Sequence, residues 1–201
     1  MVIKNMVDIG AHEGESIELY SKVFGILKIL SFEPEISKYE ILKTKYKNNK
    51  NIQIYNYAVG ATNTQDNLKI GITGDSTFGE MNHDSRWYKI KKFVLGLSKM
   101  HSETQLVNII SLDTFDLDME KIDLIKIDVE GYELNVLKGM KKKLKSKDVK
   151  VIIVEMRFDR MYKDYDRNKI QNFLTENNYK LFKFLRFPFY SFGDAIFIKK
   201  S

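Results

Sequence analysis

The sequence predicts a doubly wound α/β fold, in which a mostly parallel sheet carries helices on both faces. Three observations support this prediction. Apolar runs of strand length alternate with segments of helical periodicity along most of the chain. A glycine-containing turn joins the first strand to the first helix. No linker, repeat or low-complexity stretch divides the 201 residues, so we expect a single domain over residues 1–201, either complete or excised from a longer chain.

The first part of the chain is predicted to form alternating strands and helices. The helical segments are indicated by apolar residues three and four positions apart, and the strands by short apolar runs. In chain order we expect a strand over 2–9, a helix over 16–24, a strand over 29–32, a helix around 36–42 and a strand over 52–59.

The later part interrupts this order and then resumes it. We predict a short strand over 67–72, a loop over 74–79, a basic amphipathic helix around 87–97, a short strand over 107–111, a strand over 123–128, a helix around 134–140, a strand over 149–155, a helix around 170–174 and closing strands over 180–184 and 195–199. The near-continuous apolar run of 149–155 implies burial on both faces. The insert at about 74–106 is expected to act as a lid over the ligand site.

The turn after the first strand is the most informative local motif. Asp8 closes the strand, and Gly10 and Gly14 bracket the turn, where glycine lets a backbone come close to a ligand. The second strand ends in Glu33, followed by the helix breaker Pro34. An acidic residue roughly 20 positions beyond such a turn is placed to accept both hydroxyls of a ribose. Together they indicate a cofactor that contains adenosine.

The spacing of the turn decides which cofactor is expected. Dinucleotide binding requires the pattern G-x-G-x-x-G, but His12 and Glu15 stand where its second and third glycines belong. Pyrophosphate needs that close backbone approach, whereas S-adenosylmethionine carries no phosphate and tolerates a looser G-x-x-x-G turn. The sequence therefore favours S-adenosylmethionine.

Composition restricts the remaining classes. The 33 basic and 27 acidic residues give a net charge of +6, a mild excess, and lysine runs such as 141–145 are typical of a solvated helix face. The chain has no cysteine, which excludes disulfides and thiolate zinc sites and suits a reducing compartment. No apolar run approaches the roughly 20 residues that cross a membrane, and no signal peptide precedes the first strand. We therefore expect a cytoplasmic protein without a transmembrane segment.

Six sequence blocks, in order along the chain, resemble the FkbM family of S-adenosylmethionine-dependent methyltransferases. The blocks are Asp8-Ile9-Gly10-Ala11-His12-x-Gly14, Phe32-Glu33-Pro34, Ala58-Val59-Gly60, Ser76-Thr77-Phe78, Ser111-Leu112-Asp113 and the run from Asp123 to Glu133. The resemblance implies a Rossmann-like class I methyltransferase with a C-terminal antiparallel hairpin. It also implies methyl transfer to a hydroxyl, often of a sugar or polyketide, in glycan, polysaccharide or secondary-metabolite biosynthesis. The partner would be a small-molecule or glycan acceptor, not a nucleic acid.

The cofactor contacts are assigned within these blocks. We predict that they come from Asp8, Gly10, His12, Gly14, Glu33, Ala58, Val59, Ser76 and Asp128. The side chain of His12 would either bridge the cofactor and the loop or contact the acceptor.

Catalysis is assigned to Lys126, Asp128 and Glu130. Alternation along a strand places these three on one side, at the end of the sheet that faces the ligand crevice. There they would remove or hold the hydroxyl proton. The competing interpretation is an ion pair between Lys126 and Glu130 that braces the loop. Asp128 and Glu155 also follow two neighbouring strands, as the metal ligands of related O-methyltransferases do, so Mg²⁺ or another divalent cation is a second hypothesis.

Aromatic residues suggest further contacts. Phe78, Trp87 and Tyr88 of the insert would stack on a sugar ring or pack the lid, while Lys89, Lys91 and Lys92 would hold an acceptor phosphate or only solvate the lid helix. Near the C-terminus, Phe189, Tyr190 and Phe192 form a candidate contact patch, consistent with a possible homodimer.

Two rival classes remain open. A nucleic-acid methyltransferase would explain the positive charge. The kind that methylates base amines needs a Pro-Pro-aromatic motif, however, and this chain has only Pro34 and Pro188. The carboxylates around Asp128 would also repel phosphates. A non-enzymatic cofactor-binding domain would not require that acidic cluster.

Overall fold

The computed structural model describes residues 2–72, 75–98, 100–145, 149–187 and 191–200, without the side chain of Ser102. Gly74 of the predicted lid lies outside these ranges, as do Phe189 and Tyr190 of the predicted contact patch. In chain order the elements are β1 (Asn5–Ile9), α1 (Glu15–Phe24), β2 (Lys28–Phe32), α2 (Ile36–Tyr46), β3 (Ile52–Tyr55), β4 (Ala58–Val59), β5 (Thr64–Gly71), α3 (Arg86–Val94), β6 (His101–Ile110), β7 (Leu124–Ile127), α4 (Glu133–Lys138), α5 (Lys141–Lys145), β8 (Val151–Arg157), α6 (Arg167–Glu176), β9 (Tyr179–Arg186) and β10 (Phe192–Lys199).

A seven-stranded sheet dominates the described structure, in the order β3-β2-β1-β7-β8-β10-β9. The first five strands in this order, β3, β2, β1, β7 and β8, are parallel to one another. Strand β10 is antiparallel to both of its neighbours, β8 and β9. This arrangement confirms the predicted doubly wound sheet and its C-terminal antiparallel hairpin.

A three-stranded sheet in the order β4-β6-β5 lies beside the main one. The prediction of one continuous strand over 52–59 was wrong, because β3 pairs with β2 in the main sheet while β4 pairs with β6 in the second. The bend has a local cause. The side-chain amide of Asn56 donates to the carbonyl oxygens of Glu33 and Pro34 at 2.9 and 3.0 Å, which anchors the chain beside the end of β2.

Apolar side chains cover both faces of the main sheet. On one face, residues of α4, α5 and α6 such as Val136, Leu144 and Leu174 pack against β1, β2, β7 and β8. On the other, Ile17 of α1 and Leu42 of α2 pack against alternate residues of the same strands. Every residue of β8 is buried, as its apolar run predicted. The helices on the two faces therefore fix the positions of the strands, whose carboxyl ends carry the site.

The insert places one helix beside the carboxyl end of the sheet. Tyr88 of α3 is buried against Met81, Met100, Met161 and Tyr162, so packing fixes the inner face of the helix. No helix in the described part of the chain is long and apolar enough to cross a bilayer.

Candidate active site

A cavity of about 390 Å³ opens at the carboxyl ends of β1, β2 and β7. This is the edge of an open α/β sheet where ligands bind, and the volume lies within the range of small-molecule sites. The predicted residues that line it are Gly10, His12, Glu33, Ala58, Val59, Ser76, Asp128 and Glu130. Asp8, Gly14, Lys126 and Glu155 lie behind this lining.

Gly10 brings two strand ends into close contact. Its φ is +85°, and a Cβ built there would lie 1.8 Å from the carbonyl oxygen of Asp128. Glycine is therefore required at this position because the backbone that follows β7 passes close to Gly10. Gly14 has φ +94°, precedes α1, and packs so closely on α2 that a Cβ would lie 2.9 Å from the hydroxyl of Tyr46. Both glycines shape the turn.

Asp8 supports the turn from behind. It is buried, and the hydroxyl of Ser16 donates to its Oδ2 at 2.6 Å. Burial raises the pKa of Asp8 to about 6. Ser16 does line the cavity, so Asp8 acts on the site through the start of α1.

Glu33 is a fixed acceptor in the cavity wall. Main-chain N–H groups of His12 and Glu35 donate to its two carboxylate oxygens at 2.8 and 2.9 Å. Each oxygen keeps a further lone pair for a ligand. Burial raises the pKa of Glu33 to about 7, because the charged form loses hydration there. This geometry fits the two hydroxyls of a ribose.

His12 contributes mainly through its backbone. Its φ is +52°, which turns its N–H toward Glu33. Its Nδ1 lies 3.1 Å from Oε1 of Glu15, and both residues line the cavity. The two predicted roles of the side chain, a bridge between the cofactor and the loop or a contact with the acceptor, stay predictions, while the main chain of His12 links the turn to Glu33.

The cavity also has an apolar wall. It is formed by the side chains of Phe32, Ala58, Val59 and Leu68, together with the rings of Phe78 and Tyr132, whose centroids lie 4.9 Å apart. Such a wall suits a flat heterocycle or the C–H face of a sugar. Trp87 and Tyr88 are absent from the cavity lining, because Tyr88 is buried in a separate cluster with Met81 and Tyr162, and Trp87 is exposed.

Ser76 joins the insert to the Glu33 side of the cavity. Its hydroxyl donates to Oε2 of Glu35 at 2.7 Å, while the main-chain N–H of Glu35 binds Glu33. The loop that carries Ser76 is thereby linked to the predicted ribose site.

Lys126 holds Asp128 in place. Its Nζ lies 3.0 Å from Oδ2 of Asp128 and 3.5 Å from Oδ1 of Asp194. Burial alone would lower the pKa of Lys126, but the two carboxylates raise it, so the ammonium stays charged. Lys126 is buried behind Asp128 and is a positioning residue.

Glu130 is held by a different cation. Nη1 of Arg157 and the hydroxyl of Tyr162 both donate to its Oε2 at 2.9 Å. Burial raises the pKa of Glu130, and the Arg157 charge opposes that rise. The competing interpretation, an ion pair between Lys126 and Glu130, was wrong: Lys126 pairs with Asp128 and Asp194, and Glu130 pairs with Arg157. The positive φ of Glu130, +51°, belongs to the turn that presents both carboxylates.

Arg157 and Tyr162 were not predicted from the sequence. Arg157 ends the buried strand β8, where a charged residue has to find partners, and this is a signal that the sequence does contain. Tyr162 lies in a loop without periodicity, so only the fold brings it to Glu130.

The predicted metal ligands do come together. Oxygen atoms of the two predicted ligands, Asp128 and Glu155, and of Glu130, which was not predicted as a ligand, lie within 4.8 Å of one another. Nη1 of Arg157 already lies 2.9 Å from Glu130 and 3.4 Å from Glu155. Burial and the neighbouring carboxylates raise the pKa of Glu155, which favours its protonated form, a poor metal ligand. The donor atoms fit a cation, but the charge around them is partly neutralised.

Comparison with known proteins identifies the family. A family model described as the methyltransferase FkbM domain matches residues 8–181. The methyltransferase FkbM from Methylobacillus flagellatus KT superposes with a TM-score of 0.65 at 15% identity, covering 98% of this chain and 43% of that one. No curated protein matches the chain.

Two further solved structures share the fold. The M. capricolum TrmK structure, a complex with the cofactor product S-adenosyl-homocysteine, gives a TM-score of 0.51 at 8% identity and covers 99% of this chain and 64% of that one. The StiE O-MT gives 0.50 at 11% identity, covering 91% and 48%. The chain spans less than two thirds of the length of these structures.

Proposed function

The chain belongs to the FkbM family of methyltransferases, and we propose that it uses S-adenosylmethionine to methylate a hydroxyl group of a sugar in glycan or polysaccharide biosynthesis. One observation carries the proposal. The carboxylates of Asp128 and Glu130 line the same cavity as Glu33 and the glycine turn. A group that accepts a proton thus shares a cavity with a group suited to a ribose.

The cofactor is proposed to occupy the part of the cavity between Glu33 and the apolar wall. Glu33 would accept the two ribose hydroxyls, and Ala58 and Val59 would contact the adenine. S-adenosylmethionine supplies an electrophilic methyl group on its sulfonium. The protein then has only to orient the acceptor and manage one proton.

Asp128 is proposed as the group that takes the hydroxyl proton, with Glu130 orienting the acceptor. Lys126 and Arg157 hold the two carboxylates in place at 3.0 and 2.9 Å. Ordered charged partners reduce the reorganisation that proton transfer would otherwise require. The loop and helix at 75–98 are proposed to cover this part of the cavity as a lid.

The acceptor is proposed to be a sugar because aromatic rings and carboxylates meet in one cavity. Phe78 and Tyr132 offer an apolar face, and Asp128 and Glu130 offer hydroxyl acceptors. A polyketide or other secondary metabolite with a hydroxyl would use the same groups. The two differ in the density of hydroxyls, so deoxy sugars separate them.

A nucleic-acid acceptor is disfavoured by charge. The B. subtilis M1A22 tRNA methyltransferase TrmK shares the fold, yet an identity of 12% carries no information on the substrate. The carboxylates of Asp128 and Glu130 line the proposed acceptor side, and those of Asp159 and Asp194 lie behind them, paired with Arg157 and Lys126. Lys126 and Arg157 neutralise them only in part, so a phosphate backbone would be repelled.

Metal dependence is a separate hypothesis within this proposal. Activity that EDTA abolishes and Mg²⁺ restores would support a cation on Asp128, Glu130 and Glu155. Activity that is indifferent to EDTA would support proton transfer by carboxylate alone.

The proposal is tested with methyl-labelled S-adenosylmethionine and a panel of hexose- and deoxyhexose-containing glycans, polyketides and RNA. We expect label in a glycan, in a linkage that survives mild base because it is an ether. Label in RNA alone would contradict the proposal, and label in a polyketide alone would select the alternative acceptor. The Asp128→Asn variant is the control for background transfer.

A further inference from the structure

Helix α3 carries an apolar face that nothing in the described chain covers. Phe93 and Val94 are 87% and 72% exposed, and Trp87 and Ile90 are also exposed. Residues three, four and seven positions apart share one side of a helix, so Trp87, Ile90 and Val94 form a row with Phe93 beside it. A contiguous apolar patch of this kind marks an interaction site.

The opposite side of α3 is fixed. Tyr88 is buried among Met81, Met100, Met161 and Tyr162. Lys91 forms an ion pair with Asp75, which lines the cavity. The helix therefore cannot bury its apolar row by rotating inward without breaking these contacts. The row faces away from the protein next to the proposed active site.

The charged residues of α3 itself are all basic, and Oδ1 of Asp84, just before the helix, lies 3.9 Å from Nζ of Lys89. The sequence of α3, RWYKIKKFV, contains no acidic residue. Arg86 and Lys89 are exposed beside the apolar row, and Lys92 is half-buried. Lys91 pairs with Asp75 and therefore lies on the inner side of the helix. Of the three lysines predicted to hold an acceptor phosphate, this leaves Lys89 and Lys92.

We propose that the outer face of α3 docks the protein on an anionic phospholipid surface. A short helix with aromatic and aliphatic residues on one side and basic residues around them lies in the plane of the membrane interface. The apolar row would enter the headgroup boundary while Arg86 and Lys89 contact lipid phosphates. Docking would bring the cavity to the membrane surface, whichever hydroxyl the enzyme methylates.

Charge also separates this partner from the alternatives. A symmetric contact between two copies would oppose the same basic residues across the interface, and like charges disfavour that arrangement. A nucleic acid would set phosphates against Phe93 and Val94, the most exposed apolar side chains of the helix. An anionic lipid surface offers negative charge and an apolar layer together, as this face requires.

The chain provides its own probe, because Trp87 is its single tryptophan and lies on the proposed face. Vesicles of equal parts phosphatidylglycerol and phosphatidylcholine should shift the Trp87 emission to shorter wavelength, and brominated acyl chains should quench it. Vesicles of phosphatidylcholine alone should bind far more weakly. No spectral change with anionic vesicles, or equal binding to both, would overturn the proposal.

Two variants separate the apolar and ionic contributions in vesicle sedimentation. Phe93→Ser/Val94→Ser should weaken binding by roughly tenfold or more, and Arg86→Gln/Lys89→Gln by about fivefold for each charge removed. The matched control is Leu19→Ser/Val23→Ser on α1, where the side chains are 55% and 60% exposed. It should bind like the wild type.

Circular dichroism checks that each variant is folded. Loss of binding in the α1 control as great as in the α3 variant would show non-specific adhesion and reject the site. A wild-type dimer that Phe93→Ser/Val94→Ser dissociates, without vesicle binding, would assign the face to a second copy instead.

Discussion

The two sides of the cavity hold their acidic groups in different ways. On the cofactor side, Glu33 is fixed by main-chain N–H groups of His12 and Glu35. On the acceptor side, Asp128 and Glu130 are fixed by the charged side chains of Lys126 and Arg157. Main-chain donors depend on the shape of the turn, whereas side-chain cations depend on a balance of buried charges. We therefore expect the cofactor side to be disrupted when the backbone is distorted, and the acceptor side when a charge is removed.

The largest effect is expected from Gly10→Ala, because the new Cβ would lie 1.8 Å from the carbonyl oxygen of Asp128. We expect a loss of more than about 3 kcal/mol in the free energy of unfolding, from clash and positive φ together. Gly25→Ala is the matched control, since Gly25 has φ +61° but nothing within 4 Å of its Cβ. It should cost about 1 kcal/mol. Equal losses in urea denaturation would show that the close approach contributes nothing.

Asp128→Asn tests the acceptor side. Removing the charge without changing the shape should lower kcat by about 10²-fold or more, a larger effect than that on the affinity for S-adenosylhomocysteine, to which Asp128 is predicted to contribute one contact among several. Asp194→Asn is the control, because Asp194 also pairs with Lys126 but lies outside the cavity lining. It should keep most of the activity. Full turnover in Asp128→Asn would remove Asp128 as base and as metal ligand.

Glu33 should make cofactor binding depend on pH. Its pKa is raised to about 7 by burial, and only the ionised carboxylate can accept both ribose hydroxyls. Affinity for S-adenosylhomocysteine should therefore fall up to about tenfold per pH unit below 7. Calorimetry across this range measures the slope.

Glu33→Ala supplies the control for that slope. The variant should bind more weakly at every pH, by roughly 1.5–3 kcal/mol for each lost bond to the charged group, and its affinity should not change around pH 7. A pH slope that persists in folded Glu33→Ala would assign the titration to another group.

In the ligand-free protein, the raised pKa of Glu33 affects stability in the opposite direction. The Glu33 contribution to the free energy of unfolding is present at low pH and is lost as pH rises toward 7.

Tyr162→Phe should give the smallest effect. It removes one of the two donors to Glu130 and keeps the ring packed against Met81, Tyr88 and Met100. We expect kcat to fall by about threefold to tenfold, the value of one hydrogen bond, with KM for the cofactor unchanged. A larger fall would mean that the hydroxyl itself contacts the acceptor.

Much of the cofactor side could be predicted because its parts are close in sequence. The turn from Asp8 to Gly14 and the end of β2 at Glu33 are each recognisable from a few residues, and the fold brings them together by the ordinary pairing of β1 with β2. The acceptor side was predicted only in part. Asp128 and Glu130 could be predicted from their position at the end of a buried strand, but the sequence did not indicate which cation would hold each of them.

The sequence by itself determined the order of strands and helices, the glycine turn and the acidic ends of β2 and β7. Hydrophobic periodicity and turn chemistry are local properties, so a short stretch of chain is enough to specify them. The tertiary structure alone decided that the segment 52–59 divides between two sheets, that Lys126 binds Asp128, and that Arg157 and Tyr162 bind Glu130. These contacts join charged and polar groups whose partners are selected by packing: a buried charge takes whichever opposite charge the fold places within reach.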